Sequence, residues 1–286
     1  MRIDSNTKLL GLIGHPVAHS LSPAMHNAVF EKLKLNCVYL AFDVSEGNLK
    51  HVLSGANAIG VIGLNVTIPH KINVMRHLDS ISREARLIGA VNTIKFEKNK
   101  AIGFNTDGIG CVRALNESVG KIKGKRILLL GAGGAARAIS FQSVMYGAKL
   151  SISNRKIEKH MAFRISRDIK KKLRKKVDVV DLSIKDIKEK LSDTDILINS
   201  TPVGMHPNVN GSIIPANIIP KNVVVMDIVY NPVETKLLRD AKKRGCKTVD
   251  GLGMLANQGA EALKIWLGIR APVGLMRRVA LKGLMK

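Results

Sequence analysis

Two side chains far apart in the chain are the strongest candidates for proton chemistry. Lys71 closes the stretch Asn65-Val66-Thr67-Ile68-Pro69-His70-Lys71. Asn65 and Thr67 leave a strand end on one face by the period of two. Pro69 reads as a helix start, which puts Lys71 in a first turn. A cation there opposes the helix dipole, so the position suits a functional amine with a lowered pKa better than a structural lysine. Asp107 lies in Gly103-Phe104-Asn105-Thr106-Asp107-Gly108, where a strand hands over to a helix; a plain helix cap at Thr106 or Asp107 is the alternative. Three more polar clusters stand at strand ends or helix starts: His19-Ser20-Leu21-Ser22-Pro23, Val91-Asn92-Thr93, and Gly251-Leu252-Gly253-Met254-Leu255 running on to Gln258. Ser22 before Pro23 is expected to be an N-cap with proline at the first helical position. Ser20, Ser22 and that helix start together suit a carboxylate. Each cluster alone fits turn chemistry; their number is what points to a site.

A second kind of chemistry is written at Arg126–Leu130, an apolar strand pattern followed by Gly131-Ala132-Gly133-Gly134-Ala135-Ala136 and then a helical pattern. This is the G-x-G-x-x-A form of the dinucleotide turn. Gly131 permits the tight turn, Gly133 lets the backbone approach a pyrophosphate, and Ala136 allows close helix–strand packing. The next strand ends in Asn154-Arg155, where an NAD site would carry Asp or Glu. Arg155, with Lys159 beyond it, suits a 2′-phosphate instead, so NADP(H) is expected over NAD. The alternative for Arg155 is a solvated helix start. Thr201, Met205, Asp227 and Gly251 are expected on the same ligand side of the sheet, Asp227 with loop capping as its alternative.

Positioning these groups requires an α/β chain. Short apolar runs (Leu9–Ile13, Cys37–Val44, Val61–Val66, Ile127–Leu130, Leu150–Ser153, Val177–Val180, Ile196–Asn199, Val223–Ile228, Lys247–Val249) alternate with helical patterns, which implies mainly parallel sheets. Val91–Phe96 and Ala101–Phe104, around Glu97-Lys98-Asn99-Lys100, read as a hairpin. A chain of 286 residues, 45% hydrophobic, has material for about two domains. The charge is the unusual quantity: 46 Lys and Arg against 22 Asp and Glu, a net +24, which draws anions. Aromatics at 3% leave little for stacking on bases, which weighs against nucleic acid. The basic run Lys170–Lys176 reads as a solvated helix face. Cys37, Cys111 and Cys246 are an odd, scattered set that suggests reduced thiols in the cytoplasm and no metal site. No apolar stretch has membrane-spanning length and no secretory segment is expected.

Taken in order, the five clusters and the glycine turn resemble the shikimate/quinate dehydrogenase family, from Gly14 to about Gln258. The resemblance implies an N-terminal α/β substrate-binding domain with a mainly parallel sheet (residues 1–107 and 253–286) and a Rossmann-like doubly wound domain (residues 108–252). It implies reversible NADPH-dependent reduction of 3-dehydroshikimate to shikimate. Ser20 and Ser22 would hold the carboxylate; Asn65, Thr67, Asn92 and Gln258 the hydroxyls; Tyr230 would lie near the substrate. Lys71 and Asp107 would be the catalytic pair. Gly131 to Ala136 would cradle the pyrophosphate, and Asn154 with Arg155 would select the 2′-phosphate. A homodimer is left open. The charge is far more basic than expected for this family. Rival readings are a quinate dehydrogenase, which often prefers NAD, a dehydrogenase of another small acid, a non-catalytic NADP-binding protein, and a nucleic-acid binder.

Overall fold

The computed structural model describes residues 3–285. The chain divides into two compact units, Met1–Thr106 with Ala256–Lys286, and Asp107–Leu255.

The first unit opens with β1 (Lys8–Gly14), α1 (Ser22–Lys32), β2 (Cys37–Asp43), α2 (Leu49–Ala58) and β3 (Gly63–Val66). It continues with β4 (Ser80–Ile81), α3 (Arg83–Ile88), β5 (Thr93–Glu97) and β6 (Lys100–Phe104). The sheet order is β2-β1-β3-β5-β6-β4. β2, β1 and β3 are parallel, as are β6 and β4, while β5 is antiparallel to both its neighbours. The β5–β6 pair is the expected hairpin. Its two-residue turn has Lys98 at φ 51° and Asn99 at φ 59°, the doubly left-handed turn that matches strand twist. β4 was not foreseen, because two residues are too short to display a period. Ile13, Leu53, Leu64, Val66, Val91 and Ile94 are part of one core cluster beneath this sheet.

The second unit holds α4 (Asp107–Val119), β7 (Arg126–Leu130), α5 (Gly134–Met145), β8 (Lys149–Asn154), α6 (Lys159–Leu173) and β9 (Asp178–Asp181). It goes on with α7 (Ile184–Ser192), β10 (Ile196–Asn199), β11 (Val224–Asp227), α8 (Lys236–Lys243) and β12 (Thr248–Val249). All pairings are parallel in the order β12-β11-β10-β7-β8-β9. Chain order therefore reverses between β7 and β10, the switch point where a doubly wound sheet takes its ligand. β7 and β8 are buried after their first residue and β10 throughout, as strands covered on both faces must be. The basic run falls on the last turn of α6 and the loop after it; cations there complement the helix C-terminus.

α9 (Gly251–Leu267) begins in the second unit and from Ala256 belongs to the first, with α10 (Val273–Leu284). α10 packs on α1. The Trp266 indole N–H near the end of α9 donates to the Ile94 carbonyl at 2.7 Å. Gly63 makes room for it: a Cβ there would stand 2.1 Å from the indole nitrogen. Among the described residues no helix is long and apolar enough to cross a membrane.

Candidate active site

In the first unit the polar residues singled out from the sequence meet in a buried network. The Asn65 amide, at the end of β3, accepts from the Tyr39 hydroxyl at 2.7 Å. It donates to the Asn92 carbonyl and to Thr93 Oγ1, both at 3.1 Å. Asn92 Oδ1 accepts from the Thr106 N–H at 2.7 Å, and its Nδ2 donates to Thr106 Oγ1 at 3.0 Å. Thr106 Oγ1 in turn donates to Gln258 Oε1 on α9 at 3.4 Å. Asn65, Asn92 and Gln258 are thus linked through Thr93 and Thr106. The chain's alternation explains how: strand ends at 65 and 93 are paired neighbours in the sheet. Low local dielectric strengthens such a network only if each buried group is satisfied, so the amide orientations are fixed.

Ser20 and Ser22 also come together, but not as expected. Ser22 is the first residue of α1 and buried, Leu21 stands at the cap position, and no side chain caps the helix. The Ser22 N–H instead donates to Ser20 Oγ at 3.2 Å. The N-cap reading of Ser22 is corrected accordingly: Ser20 supplies the hydroxyl that meets the backbone at the helix start. The helix expected at Pro69 is also absent. Residues 68–72 form a turn and a short 3-10 helix follows over Asn73–His77. The dipole argument for the Lys71 amine therefore falls away, since no α-helix begins there. What holds Lys71 is the turn itself. Its carbonyl accepts from the Val91 N–H at 2.8 Å, the His70 N–H donates to the Thr67 carbonyl at 2.9 Å, and the buried His70 ring bonds the Val44 carbonyl at 2.6 Å. The His15 N–H bonds the Ile68 carbonyl at 2.9 Å, tying the serine segment to the lysine turn. Thr67 and Lys71 are half-buried on that turn.

Asp107 opens α4 directly after Thr106 and is buried, a carboxylate on the positive end of a helix. Tyr230 is half-buried in the second unit, where burial pushes its phenol up.

The cofactor candidates gather at the switch point of the second sheet. Gly131 has φ +107°, and a Cβ on it would meet Ser200 Oγ at 2.8 Å and Thr201 Cγ2 at 2.9 Å. Ser200 Oγ donates to the Leu130 carbonyl at 2.7 Å, so the loops after β7 and β10 are joined. Ala132 and Ala136 are buried, Ala135 half-buried, and Gly133 and Gly134 exposed. A Cβ on either of those glycines would meet nothing within 4 Å. Gly133 caps α5 without a side-chain bond, and no acidic residue stands in the first turn. Open space over an uncapped helix start is what a pyrophosphate needs, so the residues fit a dinucleotide. Asn154 is buried and donates to the Glu158 carbonyl at 3.2 Å. Arg155 is exposed and Lys159 half-buried nearby. Thr201 Oγ1 donates to Asn199 Oδ1 at 2.7 Å, and Met205 is exposed.

Two candidates are bound up in structure. Both Asp227 oxygens are engaged, by Asn199 Nδ2 at 3.0 Å, the Val229 N–H at 3.0 Å and Thr235 Oγ1 at 2.7 Å, with burial pushing the carboxyl up. This geometry fits the loop-capping alternative. Gly251 starts α9 where a Cβ would stand 2.4 Å from the Ile228 carbonyl oxygen. Several neighbours of the site escaped sequence reasoning. Tyr39 looks like any apolar strand residue, and only its phenol reaching Asn65 marks it. Lys156 and Glu158, next in the chain and three residues on from Arg155, read as ordinary helix-start charges.

Comparison with known proteins bears on both units. The model of the shikimate dehydrogenase substrate-binding domain matches residues 12–94, that of shikimate/quinate 5-dehydrogenase residues 113–252, and that of the shikimate 5′-dehydrogenase C-terminal domain residues 251–281. An NADP(+) shikimate dehydrogenase of Methanococcus maripaludis is 52% identical over 281 residues, 96% of this chain and 97% of that protein. A crystal structure of a shikimate dehydrogenase in complex with NADP+ superposes with a TM-score of 0.94 at 49% identity, over 100% of this chain and 98% of that one. The enzyme of Listeria monocytogenes, solved with shikimate and NAD, gives 0.93 at 40% identity, covering 98% of each.

Proposed function

The chain belongs to the shikimate dehydrogenase family, and from that membership we infer that it interconverts 3-dehydroshikimate and shikimate with NADP(H), in the biosynthesis of aromatic compounds. The observation that carries the reading is near-half identity to NADP(+)-dependent shikimate dehydrogenases over almost the whole chain, combined with an intact dinucleotide turn. The cofactor, when bound, supplies or receives the hydride at C3. Everything else falls to side chains of the chain.

Reducing the C3 ketone places developing negative charge on its oxygen. Protonated Lys71 gives that oxygen a proton and, in the reverse direction, the amine takes it back. Asp107 is the second member of the assigned catalytic pair and accepts from a substrate hydroxyl. Asn65, Thr67, Asn92 and Gln258 bind the ring hydroxyls, Ser20 and Ser22 the carboxylate, and Tyr230 completes the contacts. The interlocked amides of Asn65 and Asn92 support this assignment, because polar groups held in one orientation discriminate among hydroxyl patterns without reorganising. Gly131 to Ala136 receive the pyrophosphate, and Asn154, Arg155 and Lys159 the 2′-phosphate end. Thr201 and Met205 belong to the loop beside the turn. The three cysteines are free and buried, which supports a reducing, cytoplasmic setting.

A quinate-specific, NAD-dependent activity has less support, because Arg155 occupies the cofactor-selecting position. The test is NADP+ reduction followed at 340 nm with shikimate, with quinate and with no substrate, repeated with NAD+. Shikimate with NADP+ is expected to dominate; a preference for quinate with NAD+ would overturn the reading.

A further inference from the structure

We propose that Glu158 is a specificity-determining residue that competes with the cofactor's 2′-phosphate for Arg155 and so limits how strongly NADP is preferred over NAD. The proposal rests on the reading that Arg155 receives that phosphate.

The Arg155 guanidinium is held at two points. Nη2 donates to Glu158 Oε1 at 2.6 Å and Nε to Oε2 at 3.3 Å. This is the two-oxygen engagement of the fork that a phosphate would make. The backbone brings the two together. Arg155 stands at the start of a single 3-10 turn, Lys156–Glu158, so the pair is three residues apart and faces one way. The second cation at this end, Lys159, is likewise engaged by Asp181 at the end of β9 and lies 5.5 Å from the Phe163 ring. Both cations assigned to the 2′-phosphate thus carry a carboxylate of their own.

The two cofactors meet this arrangement differently. A 2′-phosphate must displace the Glu158 carboxylate from the guanidinium and then lie near its charge. A 2′-hydroxyl makes no such demand and leaves the pair in place. Glu158 therefore weakens NADP binding selectively. The pair is exposed, with side-chain exposures of 67% and 37%, so the effect is modest.

The test is equilibrium binding of NADP+ and of NAD+ by calorimetry to the full-length protein, to Glu158→Gln, to Arg155→Ala and to the double variant. Glu158→Gln should tighten NADP+ about two- to fivefold and leave NAD+ unchanged. The gain should vanish in the Arg155→Ala background, because it acts through the guanidinium. Glu158→Ala must reproduce the split and stands in if the glutamine variant fails to fold by circular dichroism. Unchanged or weaker NADP+ binding in the Glu158 variants, or an equal gain for both cofactors, overturns the proposal. If Arg155→Ala weakens NADP+ alone while Glu158→Gln gains nothing, only the role of Glu158 fails. If Arg155→Ala weakens both cofactors equally, the 2′-phosphate assignment itself fails.

Discussion

Asn65 shows how much a single side chain depends on one that sequence reading passes over. Both its amide protons are used inside the protein, on Asn92 and Thr93, and its oxygen is oriented by the Tyr39 phenol. What it can offer a substrate hydroxyl is the remaining lone pair of that oxygen. Tyr39→Phe should therefore raise KM for shikimate several-fold with a smaller change in kcat, and cost roughly 1 kcal/mol of stability for the lost buried bond. Steady-state kinetics with chemical denaturation checks both; a lower kcat at unchanged KM would contradict the positioning role. Asn65 and Asn92 are legible as candidates because polar clusters recur at successive strand ends, and the structure joins these two through Thr93 and Thr106. Tyr39 is not legible, since a tyrosine inside an apolar strand satisfies every pattern rule. Ser22 reads as a cap because a serine before proline normally caps; here Leu21 holds the cap position without a side-chain bond, and Ser20 only accepts from the Ser22 N–H.

At the scale of elements, the glycine turn was the most readable part of the chain, because strand, turn and helix each carry their own signal in sequence. Its demands are visible at Gly131, where positive φ and contact with Ser200 leave no place for a side chain. Gly131→Ala should destabilise the second unit by about 1–3 kcal/mol and abolish measurable NADP+ binding. A thermal melt with and without NADP+ would show it; full ligand-induced stabilisation in the variant would contradict the role given to the turn. Gly63→Ala should act through packing alone. The added methyl meets the Trp266 indole, so stability should fall by about 1–3 kcal/mol from overpacking with cofactor affinity unchanged. The segment after Pro69 was the least readable element. Proline starts helices and tight turns alike, and the turn is decided by tertiary bonds from His70 to Val44 and from Val91 to Lys71.

For the whole molecule, alternation of apolar runs and helical segments gave the α/β class and the doubly wound second sheet. The β5–β6 hairpin is legible in the sequence, but the minute strand β4 and the antiparallel pairing of β5 with β3 needed coordinates, because partners distant in the chain are not local properties of a sequence. Stability as a whole should depend on pH through His26, which is wholly buried and stacked 4.2 Å from Tyr39. Burial lowers its pKa from 6.5 to about 4, against the opposing bond to the Ser22 carbonyl. Below pH 6.5 the unfolded chain takes up a proton that the folded protein refuses, so stability falls as pH drops towards 4 and then levels off. The loss attributable to this group is roughly 3 kcal/mol. Denaturation of wild type and His26→Phe across that range should show a flatter curve for the variant; parallel curves would contradict it.

The account as a whole turns on the Lys71 amine as the proton donor, and the most direct test is the turnover of Lys71→Ala with saturating shikimate and NADP+. A loss of about 10²–10⁴-fold in kcat with little change in KM is expected. Turnover close to that of the unmodified enzyme would contradict the mechanism.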